Sequence, residues 1–240
     1  MERRLINRAD TSPGAPLILA SASPRRRELV TLLDRRFTLA AADIDETPAP
    51  DERPEQLPVR LARAKAEAIA RRSDTSADAI VLAADTVVVL DDAFLNKPAD
   101  NHEALLMLTG LRGRDHRVMT GIALASRGQV VWSAVVDTTV WMREYTLQEM
   151  ALYVKSGLPL DKAGGYGIQD GAFHPVERIN GCFPNVVGLP LCEVERGLAA
   201  VEPLLKAGLL PREAQQGVVR GSCGALCQRA REFSAWLPNP

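Results

Sequence analysis

Residues 79–90, AIVLAADTVVVL, are a run of β-branched and small apolar residues broken only at Asp85 and Thr86. A run of this length and composition reads as a strand covered on both faces, so the sheet it joins needs layers packed on each side. It is too short to cross a bilayer. Asp85 is the constraint within it. Burying an ionised carboxylate alone costs several kcal/mol, so a cation, a metal or an opening to solvent has to lie beside it. A structural ion pair meets that need as well as a reaction centre does.

The flanking sequence supplies the layers. LILAS, 17–21, is a second short apolar strand, followed by a helix with Ser23 as cap, Pro24 in its first turn and an apolar face of Leu29, Val30, Leu32 and Leu33. RFTLAAADIDETPAPDERP reads as a strand and then an acidic, proline-rich loop. From Pro58, PVRLARAKAEAIARR is helical, with Leu61, Ala64, Lys65, Ala68 and Ile69 on one stripe, so a lysine faces the core. A helix over 101–108 leads to two long strands around SRGQ. Then come a helix capped by Thr146, the loop DKAGGYGIQDG, a strand at VERIN and a helix over 191–205. Helices alternate with strands at first and an antiparallel pair follows, which predicts an α/β fold with a mixed, twisted sheet. The expected organisation is a loose leader, 1–16, a core, 17–205, and an appendix, 206–240. The appendix has a weak helical pattern, and its Phe233 and Trp236 are expected to pack outside the core or on a second subunit.

Charge excludes some functions. With 29 basic against 30 acidic residues there is no global field to draw the chain onto nucleic acid or a membrane, and aromatic residues are too few for a stacking platform. Anion binding has to be local, and residues 1–36 carry eight arginines against four acidic residues. MERRLINRADTSPGAP has no apolar leader region, which together with four cysteines late in the chain points to a reducing cytoplasm. CGALC, 223–227, is not a CxxC and has no nearby histidines, which makes it a poor zinc motif.

The turn SASPRRR crowds three arginines onto a helix start, where cations are mildly unfavourable unless an anion joins them. Ser21 and Ser23 add hydroxyls, and Arg25 and Arg26 add forked donors suited to phosphate oxygens, at the end of a strand where ligands of open α/β sheets sit. A capped helix with solvated arginines is the plain alternative. In DIDET, Asp45 and Glu46 are either a solvated acidic run or hard oxygen ligands for magnesium. Lys97 is held in a turn by Pro98. Together, the carboxylates at 45, 46 and 85, the cations at 25, 26, 65 and 97 and the hydroxyls at 21 and 23 form a set suited to cleaving a phosphoanhydride. No cysteine or serine triad, GxxxxGK[ST] or GxGxxG competes with that reading.

The blocks LASASPRR, DIDET, RLARAKA, AADTVV, NKP, GRDHRVMTG, GLPLDKAGGYGIQ and INGCFPNVVGLPL, in this order, resemble those of the Maf family of nucleoside triphosphate pyrophosphatases from about residue 17 to 205. The resemblance implies a two-lobed fold similar to that of the inosine triphosphate pyrophosphatases, with the site in the cleft between lobes. It also implies a divalent metal, magnesium or manganese, a homodimer, and hydrolysis of a nucleoside triphosphate to the monophosphate and pyrophosphate. Ser21, Arg25 and Arg26 match the family's phosphate-binding turn. Glu46, Lys65, Asp85 and Lys97 match its active-site charges, with Asp85 as base or metal ligand and Glu46 beside it.

Thr86 after the aspartate, with Lys162 and Gln169 in DKAGGYGIQ, resembles the branch acting on dTTP, UTP and modified pyrimidine triphosphates. Two alternatives stay open. One is the branch acting on 7-methylguanosine triphosphate. The other is a non-enzymatic, nucleotide-binding regulator of cell division, which would keep the phosphate turn without needing Asp85 and Lys97 opposite it.

Overall fold

The computed structural model describes residues 14–220 and 224–233; most of the expected leader, Cys223 and Trp236 lie outside them, as does the Phe233 side chain. In chain order the strands and helices are β1 (Leu17–Leu19), α1 (Pro24–Val30), β2 (Phe37–Leu39), α2 (Gln56–Ala70), β3 (Ile80–Leu90) and β4 (Ala93–Leu95). There follow α3 (Asn101–Leu111), β5 (Asp115–Ser126), β6 (Gln129–Met142), α4 (Leu147–Lys155) and β7 (Val176–Asn180). The last of the described elements are α5 (Phe183–Val187), α6 (Leu191–Lys206), β8 (Ala214–Val219) and α7 (Ala225–Phe233).

Among the described residues the strands form one mixed sheet in the order β2-β1-β3-β5-β6-β7, with β4 added to β3 and β8 to β6. β1 runs parallel to β2 and β3, while β3, β5, β6 and β7 are antiparallel to one another in sequence. The mixed α/β sheet expected from the pattern is therefore present. The β5–β6 hairpin turns at Arg127 and Gly128, both at positive φ, as a tight two-residue loop between twisted strands demands.

β3 is buried on both faces, and its side chains alternate between the two sides of the sheet. Val81, Ala83, Val87 and Val89 pack with α2, while Ile80, Leu82, Ala84 and Val88 join the larger core with Leu108, Leu111, Leu198 and Val201. The inward face of α2 is Leu61, Ala62, Lys65, Ala66, Ile69 and Ala70. The sequence stripe was right at Leu61, Lys65 and Ile69 but rotated elsewhere: Ala68 is exposed and Ala64 half-buried. Alanines fit either side of a helix by polarity alone, so the true edge of the stripe was set by tertiary contact. α2 also begins two residues before Pro58, which sits in the first turn where a missing N–H is harmless.

Close approach of α2 to the sheet depends on Gly121 of β5. A Cβ there would lie 2.2 Å from the carbonyl carbon and oxygen of Pro58 and 2.3 Å from the Val59 nitrogen. Gly121 is also the register partner of Asp85. The glycine thus lets the first turn of α2 rest on the sheet beside the strand that carries the buried carboxylate.

The appendix differs from its expected weak helix. β8 extends the sheet along residues 132–136 of β6, and α7 follows it. Glu213 bridges Arg63 at 2.6 Å and the Ser133 hydroxyl at 2.7 Å, and Arg220 donates to Asp137 at 2.9 Å. Leu226, Cys227 and Ala230 of α7 are buried, with the Cys227 sulfur 3.5 Å from that of Cys182. A short exposed strand without alternation reads poorly from sequence because its pairing comes from the distant edge of β6. Among the described residues no helix is long and apolar enough to cross a membrane.

Gly121→Ala should force α2 away from β5. Overpacking against rigid backbone costs about 3 kcal/mol, which corresponds to a fall in Tm of roughly 6–12 °C for a chain of this size. Thermal unfolding followed by circular dichroism checks this; a Tm within about 2 °C of the parent, less than 1 kcal/mol on the same scale, would mean that α2 does not bear on Gly121.

Candidate active site

β5 lines one edge of β3 from Val81 to Val89. The other edge is shared: β1 pairs with Ile80–Leu82 and β4 with Val88–Leu90. Ala83–Val87 therefore have no strand partner on that side among the described residues. Asp85 and Thr86 sit in this gap, and successive residues of a strand point to opposite faces. A cavity of about 360 Å³ opens at the gap, walled by the turn after β1, the loop after β2 and the glycine-rich loop after α4.

Asp85 points to the α2 side. Lys65 Nζ donates to Asp85 Oδ1 at 2.7 Å and is 2.6 Å from Glu46 Oε1. Lys65 and Asp85 are 9% and 8% exposed, whereas the Glu46 side chain is 60% exposed in the loop after β2. Burial pushes the Asp85 carboxyl above its ordinary pKa, opposed by the charges of Lys65 and Arg26. Lys65 and Glu46 are on the cavity wall; Asp85 joins them through Lys65. Asp45 turns elsewhere, accepting from the Thr47 N–H at 2.9 Å and so shaping its own loop. Of the DIDET pair, Glu46 belongs to the charged cluster.

Ser23 caps α1, its hydroxyl accepting from the Arg26 N–H. Pro24 has no N–H, and Arg27 donates to the Ser23 carbonyl. The first turn therefore offers fewer open backbone donors than the sequence suggests, and the positive charge of this turn resides in its side chains. Ser21 Oγ accepts from the Ser23 N–H at 3.2 Å and lies 3.5 Å from Arg26 Nη1.

The three arginines separate. Arg27 is exposed. Arg25 reaches across the cavity to Asp161, with Nη1 donating to Oδ2 at 2.8 Å and Nη2 to the carbonyl at 3.2 Å. Arg26 is desolvated, which lowers its pKa from the ordinary value, with Asp85 opposing. Its Nε donates to the Gly188 carbonyl at 2.9 Å and its Nη2 to Thr86 Oγ1 at 3.0 Å.

Lys162 and Gln169 line the cavity. The Lys162 ammonium donates to the Leu158 carbonyl at 2.5 Å and to Asp161 Oδ1 at 2.9 Å, and lies 3.6 Å from Asp170. Lys97 also lines the cavity, is exposed, and has no ion pair among the described residues. Ser21, Ser23, Arg25, Arg26, Glu46, Lys65, Thr86, Lys97, Lys162 and Gln169 thus share one cavity wall, with Asp85 behind it.

Several participants carried no sequence signal of their own. Tyr166 lines the cavity, and its hydroxyl is 2.6 Å from Nε2 of buried His116, whose pKa burial lowers to about 3, leaving a neutral ring. Asp161 sits between Arg25 and Lys162. Each lies in a sequence block already singled out, but its partner is distant in the chain or of unremarkable type. Among the described residues there is no group of three or more His, Cys, Asp or Glu able to hold a metal. Any ion here would rest on the Asp85 and Glu46 carboxylates and on oxygens of a ligand.

Residues 16–201 match the model of a family described as Maf-like protein. The chain is 52% identical over 177 residues, 74% of its length and 88% of the other's, to a dTTP/UTP pyrophosphatase of Myxococcus xanthus. It is 43% identical to a dTTP/UTP pyrophosphatase of Vibrio cholerae over 75% of this chain and 95% of that one. Among solved structures it is similar to a nucleoside-triphosphatase / dITP/XTP pyrophosphatase from Mycobacterium abscessus, 16% identical over 80% of this chain and 97% of that one, with a TM-score of 0.41. With the family model matched over most of its length and relatives this similar over nearly their whole length, the chain belongs to the Maf family.

Proposed function

We propose that this chain hydrolyses nucleoside triphosphates, dTTP and UTP foremost, to the monophosphate and pyrophosphate. The observation that carries this reading is one cavity in which Arg25, Arg26, Lys65 and Lys97 surround the gap holding Asp85 and Thr86. The names of the relatives support the substrate class. A regulator that only bound nucleotide would have no use for a costly buried carboxylate beside the phosphate site.

A divalent ion fits the donor set. Magnesium is usually held by one or two carboxylates with phosphate oxygens and water completing its shell, and Asp85 and Glu46 both reach the same ammonium here. When bound, magnesium or manganese would neutralise phosphate charge and polarise the phosphoryl group.

The protein's own groups carry the remaining steps. Arg25 and Arg26 hold phosphate oxygens through forked donors. Water adds to the α-phosphorus and its proton passes to an Asp85 carboxylate oxygen, while the bond to the bridging oxygen breaks and pyrophosphate leaves. A carboxylate whose pKa is raised by burial is a better proton acceptor than an ordinary one. Lys97 offsets charge on the leaving pyrophosphate, Lys162 and Gln169 serve recognition of the base, and Thr86 acts through the Arg26 guanidinium whose proton it accepts. Residues 17–205 carry this chemistry, and β8 and α7 serve the stability of the sheet. The working form is a cytoplasmic homodimer without nucleic acid or membrane; Leu147 and Leu152 of α4, 67% and 72% exposed, offer apolar surface for such a contact.

Pyrophosphate release from a panel of triphosphates, with magnesium and with chelator, tests the reaction. dTTP and UTP should exceed purine triphosphates by at least about tenfold in kcat/KM, a discrimination that a site hydrogen-bonding the base readily reaches, and chelator should abolish turnover. Preference for 7-methylguanosine triphosphate, or binding without turnover, would overturn it.

Asp85→Asn should lose on the order of a hundredfold or more in kcat while the protein remains folded. The buried Lys65 ammonium then keeps only the exposed Glu46 carboxylate as an anionic partner, so Tm should fall. In the parent, kcat/KM should fall as pH drops through a pKa above the usual carboxylate range; an acid limb at an ordinary carboxylate value would remove Asp85 from the base role.

Truncation after Leu205 should preserve kcat per folded site and lower Tm. It should also promote association measured by light scattering, because the β6 edge at 132–136 is uncovered. A monodisperse, folded truncation with collapsed kcat would place the appendix in the chemistry.

A further inference from the structure

Thr120 is fully buried on β5, directly opposite Thr86 in the register of β3 and β5. Its hydroxyl oxygen is 2.9 Å from Thr86 Oγ1 and 3.0 Å from the carbonyl of Asn185 in α5. The direction of these bonds follows from the end of α5. The N–H groups of Gly188 and Leu189 both go to the Pro184 carbonyl, at 2.9 and 2.8 Å, so neither closes a turn onto Asn185. A carbonyl at a buried helix end needs a donor from outside the helix, and the Thr120 hydroxyl supplies it.

A threonine has one hydroxyl proton. With that proton on the Asn185 carbonyl, Thr120 accepts from Thr86. Thr86, having donated inward, presents only lone pairs to Arg26. Every donor then points the same way, from Arg26 Nη2 to Thr86, from Thr86 to Thr120, and from Thr120 to Asn185. The second acceptor for Arg26, the Gly188 carbonyl, stands at the end of the same short helix. That helix is pinned by Asn185 Nδ2, which donates at 2.9 Å to both the Val118 carbonyl and Thr138 Oγ1.

We propose that Thr120 is a positioning residue for the proposed reaction: it fixes the Thr86 hydroxyl as an acceptor and, with the end of α5, sets the plane of the Arg26 guanidinium towards the triphosphate. The inference rests on the reading of Arg26 as a phosphate ligand. Arg26 sits on a seven-residue helix with a flexible side chain, so its own backbone does not fix the fork. Two oxygens from outside α1 do, with Ser21 Oγ a longer third contact at 3.5 Å, and one of the two is oriented only while Thr120 donates to Asn185.

Thr120→Val keeps the shape and removes the relay. It should lower kcat/KM for dTTP about tenfold, chiefly through KM, the size expected for a lost hydrogen bond to a charged group. Thr120→Ser should restore it to within about twofold, since the hydroxyl alone carries the relay. Thr86→Val alone should reproduce the loss, and adding Thr120→Val to it should cost little more, because both act through one link. The Arg26 Nη2 protons, which donate to Thr86, should exchange with solvent faster in Thr120→Val than in the parent or in Thr120→Ser.

Wild-type kinetics with an unchanged Arg26 signal in Thr120→Val, or fully additive losses in the double variant, would overturn the proposal. Thr120→Ala takes the place of Thr120→Val if the latter does not fold. If the parent releases no pyrophosphate but the Arg26 signal responds as expected, the proposed reaction fails and the positioning stands.

Discussion

The rest of the structure is arranged around one ion pair, Lys65 with Asp85. A carboxylate in the middle of a central strand and an ammonium on the inward face of a helix are each expensive to bury, and the attraction between them does not clearly repay the two desolvations. Apolar residues of similar size would serve stability as well or better. Their presence constrains the packing instead: α2 has to sit low enough for Lys65 to reach Asp85, and Gly121, paired with Asp85 across the β3–β5 ladder, makes that approach sterically possible.

The second constraint is the interruption of the sheet. β1 is three residues long and β4 returns onto β3 only at Val88, so residues 83–87 keep one free edge among the described residues. A longer β1 or an earlier return of β4 would close it. Because side chains alternate, that edge presents Asp85 to the α2 layer and Thr86 to the layer of α5, and the cavity draws on both faces. One acidic group and one hydroxyl, adjacent in sequence, consequently belong to separate polar networks: Lys65 with Glu46 on one side, Arg26 with Thr120 and Asn185 on the other.

What could be read from the sequence was what is local. The doubly buried strand, the caps Ser23 and Thr146, the tight turn of SRGQ and the inward lysine all follow from spacing within a dozen residues. The charges at the gap could be listed by type: Arg25, Arg26, Glu46, Lys65 and Lys97 share one cavity, Asp85 reaches it through Lys65, and Asp45 lies apart in its own loop. What escaped depends on distance in the chain. Thr120 and Asn185 are 65 residues apart, His116 and Tyr166 are 50 apart, and a threonine or histidine in a strand looks the same with or without such a partner. β8, AQQGVV, is exposed at all but its last residue and shows no alternation, so what marks it as a strand is the edge of β6.

The crowding of arginines at the start of α1 has a physical resolution that sequence could pose but not answer. Arg27 goes to solvent, Arg26 is held by neutral acceptors and the charge of Arg25 is met by Asp161, which also touches Lys162. Desolvation pushes the Asp161 carboxyl up, but hydrogen bonds from Lys162 and Arg25 outweigh it and hold the group below its ordinary value. Its side chain is nevertheless 60% exposed, and ion pairs at that exposure are weak and screened by salt. Asp161 is therefore a counter-ion that a more highly charged anion can replace at small cost. A triphosphate is such an anion, and without it the protein can carry Arg25 and Lys162 at one cavity because one loosely held carboxylate bridges them and offsets their repulsion.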